Sequence, residues 1–362
     1  MKRIVIDARE LRTSSGRYVE RLLHYLQLID HENEYRVLLK PQDAEGWQPS
    51  NNRFSKIICP YKEFSFGEQL GLKRLIKRQQ ADLVHFPFAQ QPILYRGRVV
   101  STVHDLTALR FDNPSKNMIV FRFKQHIYRL VIKRVLKKSV AIITGSQFAK
   151  KDLVNFSGVS PDKITVTLEA ADAIIEPAQT MPELEGKPFI MYVGRPMPHK
   201  NLERLIEAFA LLKGQHPDLV LVLAGKKDSN YARVEAMVTS RGIANVVFTD
   251  FVSEGQLRWL YEQTQAYVFP SLSEGFGLPG LEAMMHGAPV VSSNASCLPE
   301  IYGDAAHYFD PLDVQSMSHA INEVLTNQEL RQTFINNGKA KASEYSWQRT
   351  AAQTLEVYKR AG

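Results

Sequence analysis

The sequence predicts an α/β protein with two domains, each built on a doubly wound parallel sheet. Its 362 residues suffice for two domains of ordinary size. Short apolar runs alternate with amphipathic helical patterns along the chain, which is typical of parallel sheets covered by helices. Residues 169–187 lack this periodicity, contain Pro177, Pro182 and Gly186, and predict a linker between the two series of runs.

Composition is that of a globular protein, with 44% hydrophobic and 23% charged residues. The two cysteines, Cys59 and Cys297, cannot form a disulfide framework, so we expect a reducing compartment. Asp7 and Glu10 interrupt the region where a signal peptide would be apolar, and no run approaches the ~18 apolar residues of a membrane span. We therefore expect a cytoplasmic protein.

Charge is divided unevenly between the two halves. Residues 1–170 contain 29 Lys and Arg against 16 Asp and Glu, while residues 171–362 contain 16 against 22. A basic first half indicates an anionic partner. Nucleic acid, an acidic membrane surface and a phosphorylated acceptor all fit this charge.

The first domain, residues 1–170, opens with a strand at 2–7, a loop ending at Gly16, and a helix with Val19, Leu22 and Leu26 at helical spacing. A Ser-capped helix is predicted to begin near Ser146. Further strands are predicted at 35–40, 57–59, 82–86, 99–104, 140–144 and 162–168.

Residues 117–138 predict one long helix with an apolar face and a basic face. In one interpretation the helix covers the sheet and leaves a solvated basic face; in the other it contacts an anionic membrane. The interpretation in which the helix only covers the sheet requires no binding partner. The apolar face comprises Val120, Phe123, Ile127, Val131 and Val135, and the basic face Arg122, His126, Arg129, Lys133 and Lys137.

The second domain, residues 171–345, has predicted strands at 189–193, 219–224, 246–248, 266–269 and 289–292. After the last of these strands we predict helices through Ser343. A terminal helix at 347–360, within residues 346–362, is expected to cross back to the first domain.

The segment PSLSEGFGLPGLEAMM, residues 270–285, follows a strand and turns into good helix formers. Its glycines allow a close approach of the backbone to a ligand, and free N–H groups at a helix start attract phosphate. Glu274 and Glu282 bracket the loop and could accept hydrogen bonds from hydroxyl groups on either side. A phosphate between two polyols is a sugar nucleotide.

Arg195 and Lys200 follow another strand of this domain, in the pattern G-R-x4-K-N. A guanidinium fork and an ammonium point charge can together clamp a diphosphate. We predict that both cations lie near the glycine loop. The alternative for the pair is a solvated helix cap.

E-x7-E in the setting SEGFGLPGLEAM, together with G-R-x4-K-N, resembles the signature of retaining glycosyltransferases of family 4. The resemblance implies the GT-B architecture, two facing Rossmann-like domains with a cleft between them. It also implies that Glu274 binds donor-sugar hydroxyls and that Glu282 binds the ribose. The backbone at Phe276, Gly277 and Leu278 would then hold the diphosphate.

Three further segments are similar to those of the family. VHDLTALRF places His104 and Asp105 at a strand end, where the family has the reacting sugar. Gly16-Arg17-Tyr18 matches the end of the first loop, although Ser14 and Ser15 replace glycines. Phe251 and Val252 correspond to the nucleobase pocket, in which Asp250 replaces a glycine. Without the resemblance, a histidine at a strand end is more often structural.

The resemblance implies a retaining glycosyltransferase that moves a hexosyl group, with GDP-mannose as first donor and a UDP-sugar as second. Its acceptor would be a hydroxyl of a glycan or lipid-linked glycan, with or without peripheral membrane contact. The sequence has no metal-ligand spacing, so we expect no metal and no cofactor besides the donor. Alternatives are a sugar-nucleotide epimerase and, since no recognised nucleic-acid motif is present, a less favoured nucleic-acid binder.

Overall fold

The computed structural model describes residues 1–13, 16–112 and 118–362. Ser14 and Ser15 of the first loop, and Asn117 at the predicted start of the long helix, lie outside the described residues. The strands are β1 (Arg3–Asp7), β2 (Glu34–Leu39), β3 (Phe54–Ile58), β4 (Leu83–Phe86), β5 (Val99–Thr102), β6 (Ala141–Thr144), β7 (Ile164–Val166), β8 (Phe189–Val193), β9 (Val220–Ala224), β10 (Val246–Asp250), β11 (Ala266–Phe269), β12 (Val290–Ser293) and β13 (Ala306–Phe309).

Helices follow most strands and carry the apolar spacing that the sequence shows. They are α1 (Arg17–Ile29), α2 (Pro41–Ala44), α3 (Lys73–Arg78), α4 (Met118–Lys138), α5 (Gln147–Ser157), α6 (Leu202–Leu212), α7 (Ser229–Ser240), α8 (Glu254–Gln263), α9 (Leu278–Met285), α10 (Leu298–Tyr302), α11 (Val314–Thr326), α12 (Gln328–Ser343) and α13 (Trp347–Ala361). A π-helical turn, Glu68–Leu72, runs directly into α3.

The chain divides into two compact units. The first comprises residues 1–109, 123–169 and 346–362, and the second comprises residues 110–122 and 170–345. In the first unit, α13 packs against α1, and the Lys2 ammonium donates to the carbonyl of Tyr358. In the second unit, the amide of Ile174 donates to the His286 ring, so part of segment 169–187 is hydrogen-bonded to this unit.

In the described part of the first unit, seven parallel strands form one sheet in the order β3-β2-β1-β4-β5-β6-β7. Ile6 of β1 lies between Val37 of β2 and His85 of β4. The order of strands reverses at this pair, β1 and β4. Ligands of doubly wound sheets bind beyond the carboxyl ends of the strands at such a reversal.

The second sheet runs β10-β9-β8-β11-β12-β13, again with all its described strands parallel. The order reverses between β8 and β11, which pair through Ala266 and Ile190. Both sheets are thus doubly wound, as predicted. The predicted cleft between the domains stays a prediction.

One strand of this sheet contradicts the sequence-based prediction. We predicted only helices between residue 292 and Ser343, but β13 pairs with β12 from Val290↔Ala306 to Ser293↔Phe309. Its four residues are too few for periodicity to distinguish a strand from a helix. Pairing with a distant strand, which local sequence does not encode, decides the conformation.

The long helix α4 also differs from the expectation. Val120, Phe123 and Ile127 of its predicted apolar face are 50%, 67% and 45% exposed. Val135 of the predicted face is buried, as are Ile132 and Leu136, which lie outside that face. Only the second half of α4 therefore covers the sheet. The Ser146 cap of α5 is confirmed, because the Ser146 hydroxyl accepts from the amide of Ala149.

Helix length and hydropathy together decide whether a helix can span a membrane. Among the described residues, no helix is long and apolar enough to cross a membrane.

Candidate active site

Two segments of the second unit meet at the strand reversal of its sheet. Gly194, Arg195 and the short helical turn Pro198–Lys200 follow β8, and residues 270–277, the glycine loop, follow β11. Because β8 and β11 are parallel neighbours, both segments leave the same edge of the sheet. The fold therefore brings together the two motifs that are distant in sequence.

Lys200 and Glu274 form the central contact of this edge. The Lys200 Nζ lies 2.6 Å from Glu274 Oε1, and the two side chains are only 18% and 13% exposed. The same ammonium sits over the ring of Phe269, 5.5 Å from its centroid. A close ion pair that is largely withdrawn from water depends on both partners, since either one alone would be left as an uncompensated charge.

Glu274 is held in place through its backbone. Its amide donates to the Ser296 hydroxyl at 3.1 Å, and the Cys297 thiol donates to its carbonyl oxygen at 3.3 Å. Both partners precede α10, which follows β12. The position of the carboxylate is therefore fixed by two neighbouring loops as well as by Lys200.

The glycine loop presents backbone amides at the start of α9. Gly277 has φ 101°, a left-handed conformation that favours glycine. Within the described residues, the amides of Phe276 and Gly277 make no hydrogen bond to the protein. Both residues are buried, and the Phe276 ring packs edge-on against Tyr345 with centroids 5.5 Å apart. Phe276 is thus available to a ligand through its backbone, and such amides are suited to an anion.

Tyr302 gives a second reason for the glycines of this loop. Its hydroxyl donates to the carbonyl of Gly277 at 2.5 Å, and a Cβ on Gly280 would lie 2.2 Å from the same hydroxyl oxygen. Tyr302 is fully buried, so its ring has little room to move. Packing against Tyr302, in addition to ligand approach, therefore requires a residue without a side chain at Gly280.

Replacing Gly280 by alanine is expected to lower the free energy of unfolding by about 1–3 kcal/mol, the usual cost of overpacking a core. Gly214→Ala is the matched control, because no atom lies within 4 Å of a Cβ at Gly214. Urea unfolding of both variants measures the difference. Equal stability of Gly280→Ala and the parent would show that Tyr302 does not impose this constraint.

Arg195 lies differently from the prediction. Its guanidinium donates to Asp228 at 3.0 Å, and its side chain is 63% exposed. Asp228 also caps α7 by accepting from the amides of Asn230 and Tyr231. Within the described residues the structure brings Lys200 into contact with the glycine loop, whereas the Arg195 side chain pairs with α7.

The remaining predicted donor-binding residues occupy the same unit. Glu282 is half-buried on α9, one turn after Leu278. Phe251 is 78% exposed beyond β10, next to half-buried Val252. Asp250 has φ 61°, a left-handed conformation that favours glycine, the residue that the family resemblance implies at this position.

His104 lies beyond β5 in the first unit and is tied to a residue that we did not predict. Its Nδ1 is 2.9 Å from Glu169 Oε1, and Tyr18 packs edge-on against its ring at 4.9 Å. Burial favours a lower pKa for His104, but the hydrogen bond and charge of Glu169 outweigh it and raise the pKa. His104 therefore binds a proton more readily than an isolated histidine.

Glu169→Gln should lower the pKa of His104, which histidine NMR titration measures directly. A raised pKa stabilises the fold fully below the unfolded value of about 6.5 and loses this contribution as pH rises through the folded value. The stability difference between parent and variant should therefore be larger at acid than at alkaline pH. An unchanged His104 titration would contradict the role of Glu169.

Asp105 and Gly16 have local structural partners. The Asp105 carboxylate accepts from the amide of Thr107 at 2.7 Å, closing a turn after His104. A Cβ on Gly16 would lie 2.1 Å from the carbonyl oxygen of Leu11, so the start of α1 requires glycine for packing. Glu169, Tyr302 and Ser296 are the contributors that sequence reasoning missed. Only Glu169 carried a signal, because it follows the last strand of its sheet at the carboxyl edge.

The chain matches two family descriptions whose ranges overlap at residues 152–173. Residues 152–341 match "Glycosyl transferases group 1", and residues 15–173 match "Glycosyltransferase Family 4". The first match covers more than half of the chain. The chain belongs to the group 1 glycosyl transferases. The family resemblance predicted from the glycine loop and the G-R-x4-K-N pattern is confirmed, and the protein is a glycosyltransferase enzyme.

Two relatives are bacterial proteins named as mannosyltransferases. The O-antigen chain mannosyltransferase B of Escherichia coli is 30% identical over 277 residues, which are 72% of this chain and 70% of that protein. The serotype-specific mannosyltransferase WbdA of the same species is 30% identical over 237 residues, 62% of this chain. The matched region spans only 29% of WbdA.

A solved structure establishes the fold of this glycosyltransferase over its whole length. Sucrose-phosphate synthase from Thermosynechococcus elongatus superposes with a TM-score of 0.79 over 99% of both chains, at 18% sequence identity. At this identity the likeness concerns the fold alone. The predicted GT-B fold class, with two Rossmann-like sheets, is confirmed.

Proposed function

We propose that this glycosyltransferase moves a hexosyl group from a nucleoside diphosphate to a hydroxyl acceptor with retention of anomeric configuration. Mannose from GDP-mannose is the first donor candidate, in agreement with the relatives named as mannosyltransferases. A UDP-sugar is the second. The observation that carries the proposal is the Lys200–Glu274 pair, whose glutamate lies on the same loop as the amides of Phe276 and Gly277, which make no hydrogen bond to the described part of the chain.

The barrier to transfer lies in breaking the bond between the anomeric carbon and the diphosphate. Negative charge then accumulates on the departing phosphate oxygens. An ammonium and oriented amides stabilise that charge without reorganising, because the fold positions them before the reaction. Lys200 and the start of α9 provide both kinds of donor, so we propose transfer that needs neither a metal ion nor any cofactor besides the donor.

The ion pair explains how a carboxylate can stand in an anion site. Glu274 alone would repel a diphosphate, but at 2.6 Å from Lys200 its charge is compensated. Its oxygens keep further acceptor capacity for sugar hydroxyl groups. We propose that Glu274 orients the transferred sugar, Lys200 its leaving group, and Glu282 the ribose. Arg195 could join the diphosphate only by leaving Asp228.

In the first unit, we propose that His104 and Asp105 contact the reacting face of the sugar and the acceptor. The new glycosidic bond forms on the face from which the diphosphate leaves, and the acceptor proton passes to a departing phosphate oxygen. The acceptor would be a hydroxyl of a glycan or lipid-linked glycan. A lipid-linked acceptor would bring the enzyme to a membrane surface.

Incubation of the enzyme with GDP-mannose in excess EDTA tests the proposal, with release of GDP followed by chromatography. We expect hydrolysis or transfer to continue in EDTA and UDP-glucose to react more slowly. Activity that disappears in EDTA and returns with Mn²⁺ would contradict metal-independent transfer. Conversion of the donor to an isomer without an acceptor would identify an epimerase instead.

A further inference from the structure

The long helix α4 exposes apolar side chains that no core uses. Phe123, Ile127 and Leu130 are 67%, 45% and 56% exposed. At about 100° per residue these three side chains fall on one stripe of the helix, the apolar stripe. Exposed apolar side chains that share one stripe of a helix mark an interaction site.

The same stripe continues into a basic groove. Arg134 and Lys138 lie four and eight residues beyond Leu130 and therefore on the same side of the helix. They line a groove of about 400 Å³ together with Lys73, Arg96, Gly97 and the segment from Ile93 to Tyr95. Four of these lining residues are cationic and none is acidic.

The positive charge of the groove is largely uncompensated. Within the described residues, Lys73, Arg96 and Arg134 make no ion pair, although Lys138 donates to the carbonyl of Pro92 at 2.9 Å. Burial, with a contribution from Arg134, lowers the pKa of Lys138 to about 8. Helix α4 contains seven Lys and Arg and no acidic residue. An anion bound in the groove would offset the repulsion among its cationic side chains.

The groove is separate from the candidate active site. Arg96 and Gly97 precede β5, and Lys138 precedes β6, so the groove lies at the amino ends of these strands. His104, by contrast, follows the carboxyl end of β5. A donor in a doubly wound sheet binds at the carboxyl ends. The groove therefore needs a ligand other than the sugar nucleotide.

We propose that the apolar stripe and the basic groove form one docking surface for an anionic phospholipid bilayer, with a lipid phosphate in the groove. An amphipathic helix with aromatic and aliphatic residues beside Lys and Arg lies in the plane of such an interface. Basic residues near an anionic leaflet each add to the binding. Nucleic acid would use the cations but leaves Phe123, Ile127 and Leu130 without a role. This surface is independent of the donor specificity proposed above.

Sedimentation of the full chain with vesicles tests the surface. We expect binding to vesicles of phosphatidylcholine mixed with phosphatidylglycerol and little binding to phosphatidylcholine alone. Arg96→Glu/Arg134→Glu should weaken binding at least about 25-fold, since each basic residue at such a surface contributes about fivefold. Lys150→Glu/Lys151→Glu on α5 carries the same change of net charge and should bind like the parent.

A second pair of variants tests the apolar part. Phe123→Ser/Ile127→Ser should reduce vesicle binding about tenfold or more and leave a weaker, salt-sensitive component. Leu211→Ser/Leu312→Ser is the matched control, with parent residues 45% and 64% exposed. GDP-mannose turnover in detergent-free buffer should be unchanged in all four variants, which separates this test from that of the donor site.

Three results would overturn the proposal. One is equal vesicle binding by the parent and both stripe and groove variants. Another is loss of vesicle binding in millimolar glycerol phosphate, which would make the groove a site for a free phosphate. The third is salt-dependent binding of an oligonucleotide that needs Arg96 and Arg134, in the absence of binding to anionic vesicles.

Discussion

Lys200→Ala should lower kcat/KM about 10²- to 10³-fold and weaken binding of GDP about 10- to 100-fold. The first range is typical of removing one preorganised donor to developing charge, and the second follows from a lost charged hydrogen bond. The variant also removes the ammonium group that lies 2.6 Å from Glu274, a side chain that is only 13% exposed. The uncompensated Glu274 carboxylate would then repel a diphosphate. Calorimetry with GDP and steady-state kinetics measure the two effects.

Lys187→Ala is the matched control for this change. Lys187 is exposed and precedes β8, whereas Lys200 lies beyond its other end. Removing one lysine charge from the same unit should leave both GDP affinity and kcat/KM at the parent values. A GDP dissociation constant that is unchanged in Lys200→Ala would remove Lys200 from the diphosphate site.

Glu274→Gln should lower kcat/KM about 10- to 100-fold while GDP binds as tightly as to the parent or more tightly. Glutamine keeps the shape of the side chain but loses the negative charge, and GDP lacks the sugar that Glu274 is proposed to orient. In Glu274→Gln, kcat/KM should therefore fall while the affinity for GDP does not. In Lys200→Ala both should fall. GDP binding that weakens as much as catalysis would assign Glu274 to the diphosphate instead.

The two changes should not be additive. Residues in contact show coupling of about 0.5–3 kcal/mol in double-mutant cycles. Lys200→Ala/Glu274→Gln should bind GDP better than the product of the single effects predicts, because the neutral glutamine leaves no unpaired carboxylate behind. Independent effects of the two changes would indicate that the 2.6 Å contact does not persist in the complex.

Much of the second unit was predictable because short stretches of its sequence determine its strands, loops and helices. The strand before residues 270–277, Pro279 in the first turn of α9 and the helix formers after it together define a strand, loop and helix. The contact between Lys200 and Glu274 followed from topology, since both segments leave neighbouring parallel strands at one edge. Their separation of 74 residues is therefore no obstacle.

The partners that constrain this loop were not predictable. Tyr302 packs against Gly277 and Gly280 from α10, and Ser296 holds the amide of Glu274 from the loop before it. Neither residue belongs to a sequence pattern that identifies its partner. The same holds for β13, whose four residues become a strand through pairing with β12.

In the first unit, the sequence predicted where helices and strands lie better than it predicted which side of a helix is buried. A helix over most of 117–138 was correct, but Phe123 and Ile127 of its predicted apolar face are exposed, while Ile132 and Leu136 outside that face are buried. Hydrophobic spacing shows that a helix has an apolar side and does not say what covers it. Likewise, His104 at a strand end was identifiable, while its contact with Glu169 depends on the packing of β7.

A crystal structure with GDP bound in the presence of EDTA tests the central claim most directly. We predict that diphosphate oxygens lie within hydrogen-bonding distance of Lys200 Nζ and of the amides of Phe276 and Gly277, with Glu274 still beside Lys200. A diphosphate located away from the glycine loop, or one that binds only when a divalent ion bridges it to the protein, would contradict the account.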